Sequence, residues 1–283
     1  MAKPVLKWAG GKRQLLPEIL ERAPKEIGTY YEPFFGGGAV FFALEEKYGQ
    51  IRAVLNDKNE NLISFYRELI LNPAALYDQV QALDDLLSEA EDPGEFYKQV
   101  RTDFNRNRTS PRPDTVLSKI WKAAAFLFLN KHCFNGLYRV NAHGMFNVPW
   151  NKKTGTSVEK EDLFESAKAL TGAVLNCADW RTAVGHAGKG DFVFFDPPYV
   201  PSQKGGFTSY TSDGFGEEEH ERLAEGFRTL SGKGVFCMLT NHDTPLIREL
   251  YDGFLIERVD VKRNINSKGD NRTGVEVIIR NYA

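Results

Sequence analysis

The sequence predicts an α/β fold in which a helical segment interrupts a doubly wound sheet of seven strands. Short apolar runs alternate with helical stretches at both ends of the 283-residue chain. A run of glycines separates the first predicted strand from the helix after it. Residues 61–131 carry helical signals with no strand pattern among them. We therefore expect one domain from residues 1–57 and 166–283, and a second, mainly helical domain inserted as residues 58–165.

The composition is that of an ordinary globular protein, with 42% hydrophobic and 26% charged residues. The longest apolar run, Ala123–Leu129, is far too short to span a membrane, and no signal-peptide pattern opens the chain. The three cysteines are odd in number and form no C-x-x-C pair, so that neither a disulfide framework nor a zinc site is predicted. We expect a cytoplasmic protein without a metal.

The net charge of −2 conceals a separation of charges along the chain. Residues 74–97 contain seven acids and no Lys or Arg, whereas residues 98–153 contain eleven Lys or Arg and two acids. A basic block of this size in a nearly neutral protein indicates a surface for a polyanion. A solvated helical face is the simpler alternative.

The first half of the predicted sheet has the layout of a nucleotide-binding unit. A helix is expected over Gln14–Arg22, then a strand over Tyr30–Phe34, a helix over Val40–Tyr48 and a strand over Ile51–Leu55. Glycines between strand and helix let the backbone approach a ligand closely. Asp57 follows the second strand, about twenty residues after the glycines, where an acid can accept ribose hydroxyls. The NAD pattern G-x-G-x-x-G is absent.

The remaining strands are expected at residues 173–177, 191–195, 234–240, 254–261 and 274–280, with a helix over Glu217–Leu230. The run 192–195 is apolar throughout and reads as a buried parallel strand that ends at Asp196. Ligands bind beyond the carboxyl ends of such strands. The strand at 191–195 therefore predicts a carboxylate at a binding site.

The four residues Asp196, Pro197, Pro198 and Tyr199 suit a planar ring that carries an NH2 group. Asp196 and the Pro197 carbonyl can each accept one amino hydrogen, while Tyr199 can stack on the ring. The two prolines remove competing donors and stiffen the backbone. A strand that ends in a proline turn, with a capping Asp and a core tyrosine, is the simpler alternative.

The Asp-Pro-Pro-Tyr segment resembles motif IV of the amino-group methyltransferases, which binds the target base in DNA adenine-N6 methyltransferases. Residues 3–13 resemble motif X of these enzymes, residues 32–38 resemble motif I, and Asn56-Asp57 resembles motif II. The resemblance covers nearly the whole chain. It implies S-adenosylmethionine as the cofactor, a catalytic domain formed by 1–57 and 166–283, a target-recognition domain at 58–165, and Asp196, Pro197, Pro198 and Tyr199 as catalytic residues.

The resemblance also implies the cofactor contacts. Motif X would hold the methionine end, and Asp179 with Trp180 would hold the cofactor adenine, although phenylalanine is more usual at the position of Trp180. The Gly-Gly-Lys of residues 10–12 is no phosphate loop, because Leu6 stands where such a loop needs glycine. The full predicted set is Trp8, Gly10, Gly11, Lys12, Phe34, Phe35, Gly36, Gly37, Gly38, Ala39, Asp57, Asp179, Trp180 and Asp196.

Residues 133–150 are expected to form a hairpin whose tip carries amides, an arginine and aromatics, the groups that read base edges and fill gaps in a duplex. A merely structural hairpin is the alternative. The segment resembles the DNA-reading hairpin of the Dam group, which methylates adenine in GATC. By this resemblance Arg139 reads a guanine, Asn135 fills the gap left by the flipped base, and Lys7 helps to read the first guanine. The other predicted DNA contacts are Leu137, Asn141, Pro149, Lys268 and Arg272.

We therefore predict a Dam-like DNA adenine-N6 methyltransferase that flips its target base out of double-stranded DNA and needs no metal. A cognate restriction endonuclease and an association with the nucleoid are further expectations. No Pro-Cys step occurs, which argues against a cytosine-C5 methyltransferase. Two alternatives stay open: an amino-group methyltransferase for RNA or protein glutamine, and a DNA-binding protein that keeps the fold without activity.

Overall fold

The structure, a computed structural model, describes residues 2–109, 115–201, 215–262 and 273–283. Lys268 and Arg272, two of the predicted DNA contacts, lie outside these ranges. The helices are α1 Leu16–Arg22, α2 Ala39–Tyr48, α3 Glu60–Leu71, α4 Pro73–Glu89, α5 Pro93–Thr109, α6 Val116–His132, α7 Lys160–Ala169, α8 Trp180–Ala183, α9 Glu217–Gly232 and α10 Pro245–Leu250. The strands are β1 Tyr30–Glu32, β2 Ala53–Asn56, β3 Val174–Asn176, β4 Phe192–Phe195, β5 Phe236–His242, β6 Leu255–Lys262 and β7 Thr273–Arg280.

Within the described residues, seven strands form one mixed sheet in the order β3-β2-β1-β4-β5-β7-β6. β1 runs parallel to both β2 and β4, and β5 runs parallel to β4. β7 is antiparallel to β5 and to β6. The strand order reverses between β1 and β4, which makes their carboxyl ends the expected place for a ligand. The predicted α/β class and the seven-stranded sheet are confirmed.

By the density of their contacts, the residues divide into two compact units. Unit 1 consists of Met1–Gly11, Gly36–Gln50 and Asn59–Cys177. Unit 2 consists of Lys12–Phe35, Ile51–Lys58 and Ala178–Ala283. This division does not test the assignment of residues 58–165 to target recognition, which stays a prediction.

The core of unit 2 is built around β4. All four residues of Phe192–Phe195 are 0% exposed, because strands on both sides and helices on the faces cover them. Leu223 and Phe227 of α9 and Ile247 of α10 belong to the same buried cluster. Burying each such side chain contributes roughly 1.5–3 kcal/mol. β4 is therefore a rigid support for the residues that follow it.

The core of unit 1 is built around α6. Thr115 and Ser118 form a capping box at its start, and Ala123–Leu129 are buried without exception. A helix that is apolar on all sides must be surrounded, and α3, α4 and α5 contact α6. None of the described helices has the length and apolar character that crossing a membrane requires.

A buried polar cluster joins α4 and α6 to the loop before α7. Asp84 accepts hydrogen bonds from the Ser157 backbone N at 2.6 Å and from its hydroxyl at 2.7 Å, and lies 3.0 Å from His132 Nε2. Asp84 comes from the acidic stretch 74–97. Asp84 is therefore a core residue and not part of a solvated acidic face. Its hydrogen bonds compensate for the burial of the carboxylate.

Candidate active site and recognition segment

The carboxyl end of β4 places Asp196 beside a lysine from far along the chain. Lys12 Nζ lies 2.7 Å from Asp196 Oδ1, and its side chain is only 8% exposed. The Thr240 hydroxyl, from β5, donates to the same oxygen at 3.1 Å. The carboxylate is therefore fixed by two donors within unit 2.

The electrostatics of Asp196 reflect burial and these two neighbours. Burial raises the pKa of Asp196, whereas Lys12 and the hydrogen bond from Thr240 lower it and the charge of Glu276 raises it further. The net result is a pKa above the ordinary value. Lys12 is thus the main group that favours the ionised carboxylate, the form that can accept hydrogen bonds from an amino group.

The Tyr199 ring is held in one orientation beside this carboxylate. Its hydroxyl donates to Glu276 Oε2 at 2.8 Å, and the His242 ring meets its edge with centroids 4.9 Å apart. Burial, with the charges of Asp196 and Glu276, raises the pKa of Tyr199 above its ordinary value. The hydroxyl therefore remains a donor, and the ring keeps one orientation.

The backbone after Tyr199 is tied to the end of β5. Val200 N donates to Asn241 Oδ1 at 3.0 Å, and His242 Nδ1 lies 2.7 Å from the Val200 carbonyl. Asn241 is fully buried, and its Nδ2 has no hydrogen-bond partner among the described residues. Thr240, Asn241, His242 and Glu276 were not among the site residues predicted from the sequence. A polar Thr-Asn-His run after five apolar residues was the signal that could have identified the first three.

A second acidic group in unit 2 lies at the start of α8. Asp179 caps this helix by accepting from Arg181 N at 3.0 Å, and it also accepts from Arg181 Nε at 2.7 Å. These hydrogen bonds from Arg181, with Lys58 Nζ 4.0 Å away, lower the pKa of Asp179. The carboxylate is ionised and half-buried, as an acceptor for hydroxyl or amino groups requires.

Trp180, next in the chain, is buried and lies against α9. A Cβ atom at Gly226 would stand 2.6 Å from the Trp180 ring, so a glycine inside the helix is required there. Trp180 Nε1 is buried without a hydrogen-bond partner among the described residues. A buried donor of this kind usually has a partner, which makes it a candidate ligand contact.

Asn56 connects the carboxyl ends of β1 and β2. Its amide donates to the Pro33 carbonyl at 2.9 Å and to the Ala178 carbonyl at 3.1 Å, and its backbone carbonyl accepts from Phe35 N at 2.8 Å. Asn56 is thus structural, and half-buried Asp57 comes directly after it. Phe34, the neighbour of Phe35, meets the edge of the Phe215 ring at 5.7 Å.

In unit 1 the glycine turn lies directly against Trp8. A Cβ atom at Gly36 would stand 2.8 Å from Trp8 Cδ1, and one at Gly37 would stand 3.1 Å from Trp8 Cβ. Gly36 has a φ of 50° and its carbonyl accepts from the Tyr66 hydroxyl at 3.1 Å. Gly38 caps α2, which begins at Ala39, while Gly10 and Gly11 are exposed. The turn therefore needs glycine for both space and backbone angle.

Residues 133–150, called the recognition segment here after their predicted role, are less regular than the predicted hairpin. Phe134–Gly136 form a 3₁₀ turn, and isolated antiparallel bridges join Cys133 to Trp150 and Val140 to Phe146. The predicted hairpin over residues 133–150 thus begins with a turn, and these isolated bridges join its two sides. Asn135 and Gly136 have φ values of 56° and 62°, a conformation that Asn and Gly tolerate and a strand excludes.

The exposed side chains of this segment differ in how they are held. Arg139 Nε donates to Asn147 Oδ1 at 2.8 Å. Asn141 closes a turn by accepting from the backbone N atoms of His143 and Met145, both at 3.0 Å. Asn135 is exposed, and so is Phe134 at 54%, an aromatic that sequence analysis left out. Leu137 is half-buried and Pro149 is exposed.

Lys7 is attached to this segment through buried Asn130. The Asn130 side chain accepts from Lys7 N at 2.8 Å, donates to the Lys7 carbonyl at 2.7 Å, and reaches the Gly136 carbonyl at 3.3 Å. A Cβ atom at Gly136 would stand 2.5 Å from the Lys7 side chain. Lys7 is exposed beside the 3₁₀ turn, and no local pattern indicated that Asn130 holds it there.

No cluster of three or more His, Cys, Asp or Glu that could hold a metal occurs in the described part of the chain. Comparison with known protein families gives a match over most of the chain. Residues 8–265 match the family described as D12 class N6 adenine-specific DNA methyltransferase.

Three relatives match over nearly their whole length. The type II methyltransferase M.MjaIII of Methanocaldococcus jannaschii is 40% identical, with 99% of each chain covered. The type II methyltransferase M1.LlaDCHI of Lactococcus lactis subsp. cremoris is 38% identical, over 99% of this chain and 95% of that protein. The DNA adenine methylase of Escherichia coli K12 is 33% identical, over 98% and 94%.

A solved structure of an rRNA methyltransferase from Streptomyces viridochromogenes aligns with 99% of this chain and 90% of its own, at 14% identity and a TM-score of 0.39. That likeness is too distant to bear on the substrate. The family match and the relatives confirm the predicted resemblance. The chain belongs to the D12 class of N6 adenine-specific DNA methyltransferases.

Proposed function

We propose that this protein transfers a methyl group from S-adenosylmethionine to N6 of an adenine in double-stranded DNA, within the sequence GATC. The observation that carries the proposal is the set of groups after β4. Asp196 is fixed by Lys12 and Thr240, and the ring of Tyr199 is fixed by Glu276. This is an acceptor beside a stacking surface, which suits the amino edge of a purine.

The target adenine has to leave the duplex, because its amino group is paired and unreachable within the stack. In the site, Asp196 and the Pro197 carbonyl would each accept one N6 hydrogen while Tyr199 stacks on the ring. These hydrogen bonds would turn the N6 lone pair toward the incoming methyl group. The N–C bond would form as the C–S bond breaks, with S-adenosylhomocysteine as the leaving group, and the proton that N6 then loses would pass to solvent. Positioning accounts for most of the rate in such a direct transfer.

S-Adenosylmethionine would supply the electrophilic methyl group. The residues fit such a cofactor in each unit. In unit 1, Gly36 and Gly37 pack directly against Trp8, which brings the glycine turn and the aromatic residue predicted to hold the cofactor together. In unit 2, Asp57 and Asp179 offer carboxylates for hydroxyl or amino groups, and Trp180 Nε1 is a buried donor. We propose these residues, with Gly10, Gly11, Phe34, Phe35 and Ala39, as the cofactor contacts.

The recognition segment supports DNA as the substrate. Arg139 offers a guanidinium group suited to the O6 and N7 atoms of guanine. Phe134 and Asn135 stand side by side and exposed, as an aromatic wedge and an amide that could fill the space left by a flipped base. The choice of GATC comes from the resemblance of residues 134–149 to the hairpin of the Dam group.

Two of the relatives carry the name type II methyltransferase. Those names support a cognate restriction endonuclease as a partner of this protein as well. Action on chromosomal DNA would place the protein at the nucleoid.

The test is methyl transfer from labelled S-adenosylmethionine to a GATC duplex, to duplexes with each single-base change, to RNA and to a glutamine-containing protein. We expect label on N6 of adenine in the GATC duplex and a large loss with every changed base. Label on RNA or protein in place of DNA would support the amino-group alternative and contradict the proposal.

A further inference from the structure

Lys12 contacts both Asp196 and Tyr199, although it lies more than 180 residues before them in the chain. Its ammonium nitrogen lies 2.7 Å from Asp196 Oδ1 and 4.7 Å from the centroid of the Tyr199 ring, over that ring. The side chain is 8% exposed. Motif resemblance assigned Lys12 to the methionine end of the cofactor, a role these contacts do not describe.

The same two contacts are those required of the target amino group. In the proposed reaction N6 donates to the Asp196 carboxylate while its purine ring lies over Tyr199. The ammonium nitrogen of Lys12 donates to that carboxylate at an ordinary hydrogen-bond distance and lies over that ring. The ammonium group and the purine cannot both lie over the Tyr199 ring beside this carboxylate, because they need the same space.

We propose that Lys12 occupies the amino-group position of the free enzyme, and that the target adenine must displace the Lys12 ammonium group to bind. This inference rests on the proposed function. The flexible four-carbon stem of lysine allows such a movement. Before the adenine binds, Lys12 compensates the charge of the Asp196 carboxylate, which burial would otherwise leave without a counter-charge.

The displacement acts as a filter on what enters the site. Asp196 exchanges a charged donor for the neutral amino group of adenine, which is a loss in electrostatic attraction. Only a ligand that adds further contacts, such as stacking on Tyr199 and a hydrogen bond to the Pro197 carbonyl, compensates for that loss. A solvent amine or a wrongly placed base does not, so Lys12 contributes to specificity by competition.

The experiment compares two duplexes, one with adenine and one with an abasic site at the target position. The Kd of each is measured with S-adenosylhomocysteine present, so that no transfer occurs. Only the adenine duplex requires Lys12 to move. For Lys12→Met we expect the ratio of abasic Kd to adenine Kd to rise at least fivefold over the wild-type ratio. Arg13→Met removes a neighbouring exposed charge and should leave the ratio within twofold.

A fall in the ratio would show that Lys12 holds the base, and an unchanged ratio would show that the lysine need not move; either result overturns the proposal. In an Asp196→Asn background, Lys12→Met should no longer change the ratio, because the ion pair is already lost. If Lys12→Met does not fold, Lys12→Gln takes its place with the same direction expected. Absence of methyl transfer by the wild type would instead refute the proposed function.

Discussion

The end of β4 in unit 2 and the recognition segment in unit 1 treat their polar groups in opposite ways. Asp196 and Tyr199 are fixed by named partners, Lys12, Thr240 and Glu276, and are largely shielded from water. Asn135, Arg139 and Phe134 stand exposed. If the proposed function is right, the difference teaches that the groups for chemistry are arranged in advance, as transition-state stabilisation requires. Among the groups proposed for recognition, Arg139 already has Asn147 as a partner, whereas DNA would order the exposed side chains of Phe134 and Asn135 at a cost in side-chain entropy.

The largest effect is expected from removing the arranged carboxylate. Asp196→Ala should lower kcat by about 10³-fold, since both the acceptor and the orientation of N6 are lost. Duplex binding should persist, as the recognition segment is unchanged. Single-turnover transfer and a gel-shift measurement check the two statements. Asp252→Ala, at an exposed acid of unit 2, serves as the control. Near-normal turnover in Asp196→Ala would contradict the mechanism.

Arg139→Ala tests whether the exposed arginine of the recognition segment reads a base. If Arg139 reads a guanine, the variant should lose roughly 1–3 kcal/mol of discrimination at one position of GATC and retain the others. A phosphate contact would instead weaken all sequences alike and reduce the salt dependence. The measurement is kcat/KM on GATC and on each single-base change at fixed salt. Lys98→Ala, an exposed lysine of α5, is the matched control for loss of charge alone.

Asp57→Ala tests whether the Asp57 carboxylate of unit 2 binds the cofactor. Loss of a carboxylate that accepts ribose hydroxyls should raise the Kd for S-adenosylmethionine about 10-fold or more, because hydrogen bonds to charged groups contribute about 1.5–3 kcal/mol. Calorimetry on the variant and on Asp252→Ala measures the difference. An unchanged Kd would place the ribose elsewhere.

The pH dependence of kcat/KM, which reports the free enzyme, follows from the raised pKa of Asp196. The ionised carboxylate is the proposed acceptor, so kcat/KM should fall as the pH is lowered through that pKa, about tenfold per pH unit below it. The fall should begin at a higher pH than for an ordinary Asp. Lys12→Met removes a group that lowers this pKa, and it should move the acidic limb to still higher pH. An acidic limb at the ordinary pKa of Asp would refute this electrostatic account.

The smallest effect is expected from Tyr199→Phe. The ring and its stacking surface remain, and only the hydrogen bond to Glu276 is lost. A loss of about 0.5–1.5 kcal/mol corresponds to a fall in kcat of about 2- to 12-fold. Tyr199→Ala, which also removes the ring, should lose much more. Equal rates for both variants would mean that the target base does not stack on the Tyr199 ring.

The sequence predicted those parts of the molecule that are contiguous in the chain. The buried strand before Asp196 and the glycine turn after β1 follow from local pattern, and the structure has both. The strand expected to end at residue 240 continues to His242, because β7 pairs with it and sets His242 opposite Glu276. Local pattern could not supply that register, and so it could not identify Glu276 as the partner of Tyr199.

The ion pair between Lys12 and Asp196 shows the same limit. The two residues are joined only by the tertiary fold, and a motif assigns each to its own segment. The 3₁₀ turn at Phe134–Gly136 was missed for a different reason. An Asn-Gly pair indicates a turn without giving its type, and here both residues adopt positive φ.

The way the chain alternates between the two units has a consequence for synthesis on the ribosome. Every segment of unit 1 has been made once Cys177 is added, whereas unit 2 needs Ala178–Ala283. Tyr30 of β1 pairs with Phe192 of β4, so the hydrogen-bonding edge of β1 on that side has no partner while the intervening chain is made. All residues of unit 1 are therefore available before unit 2 is complete, and the unpaired edge of nascent β1 is one that a chaperone would have reason to cover.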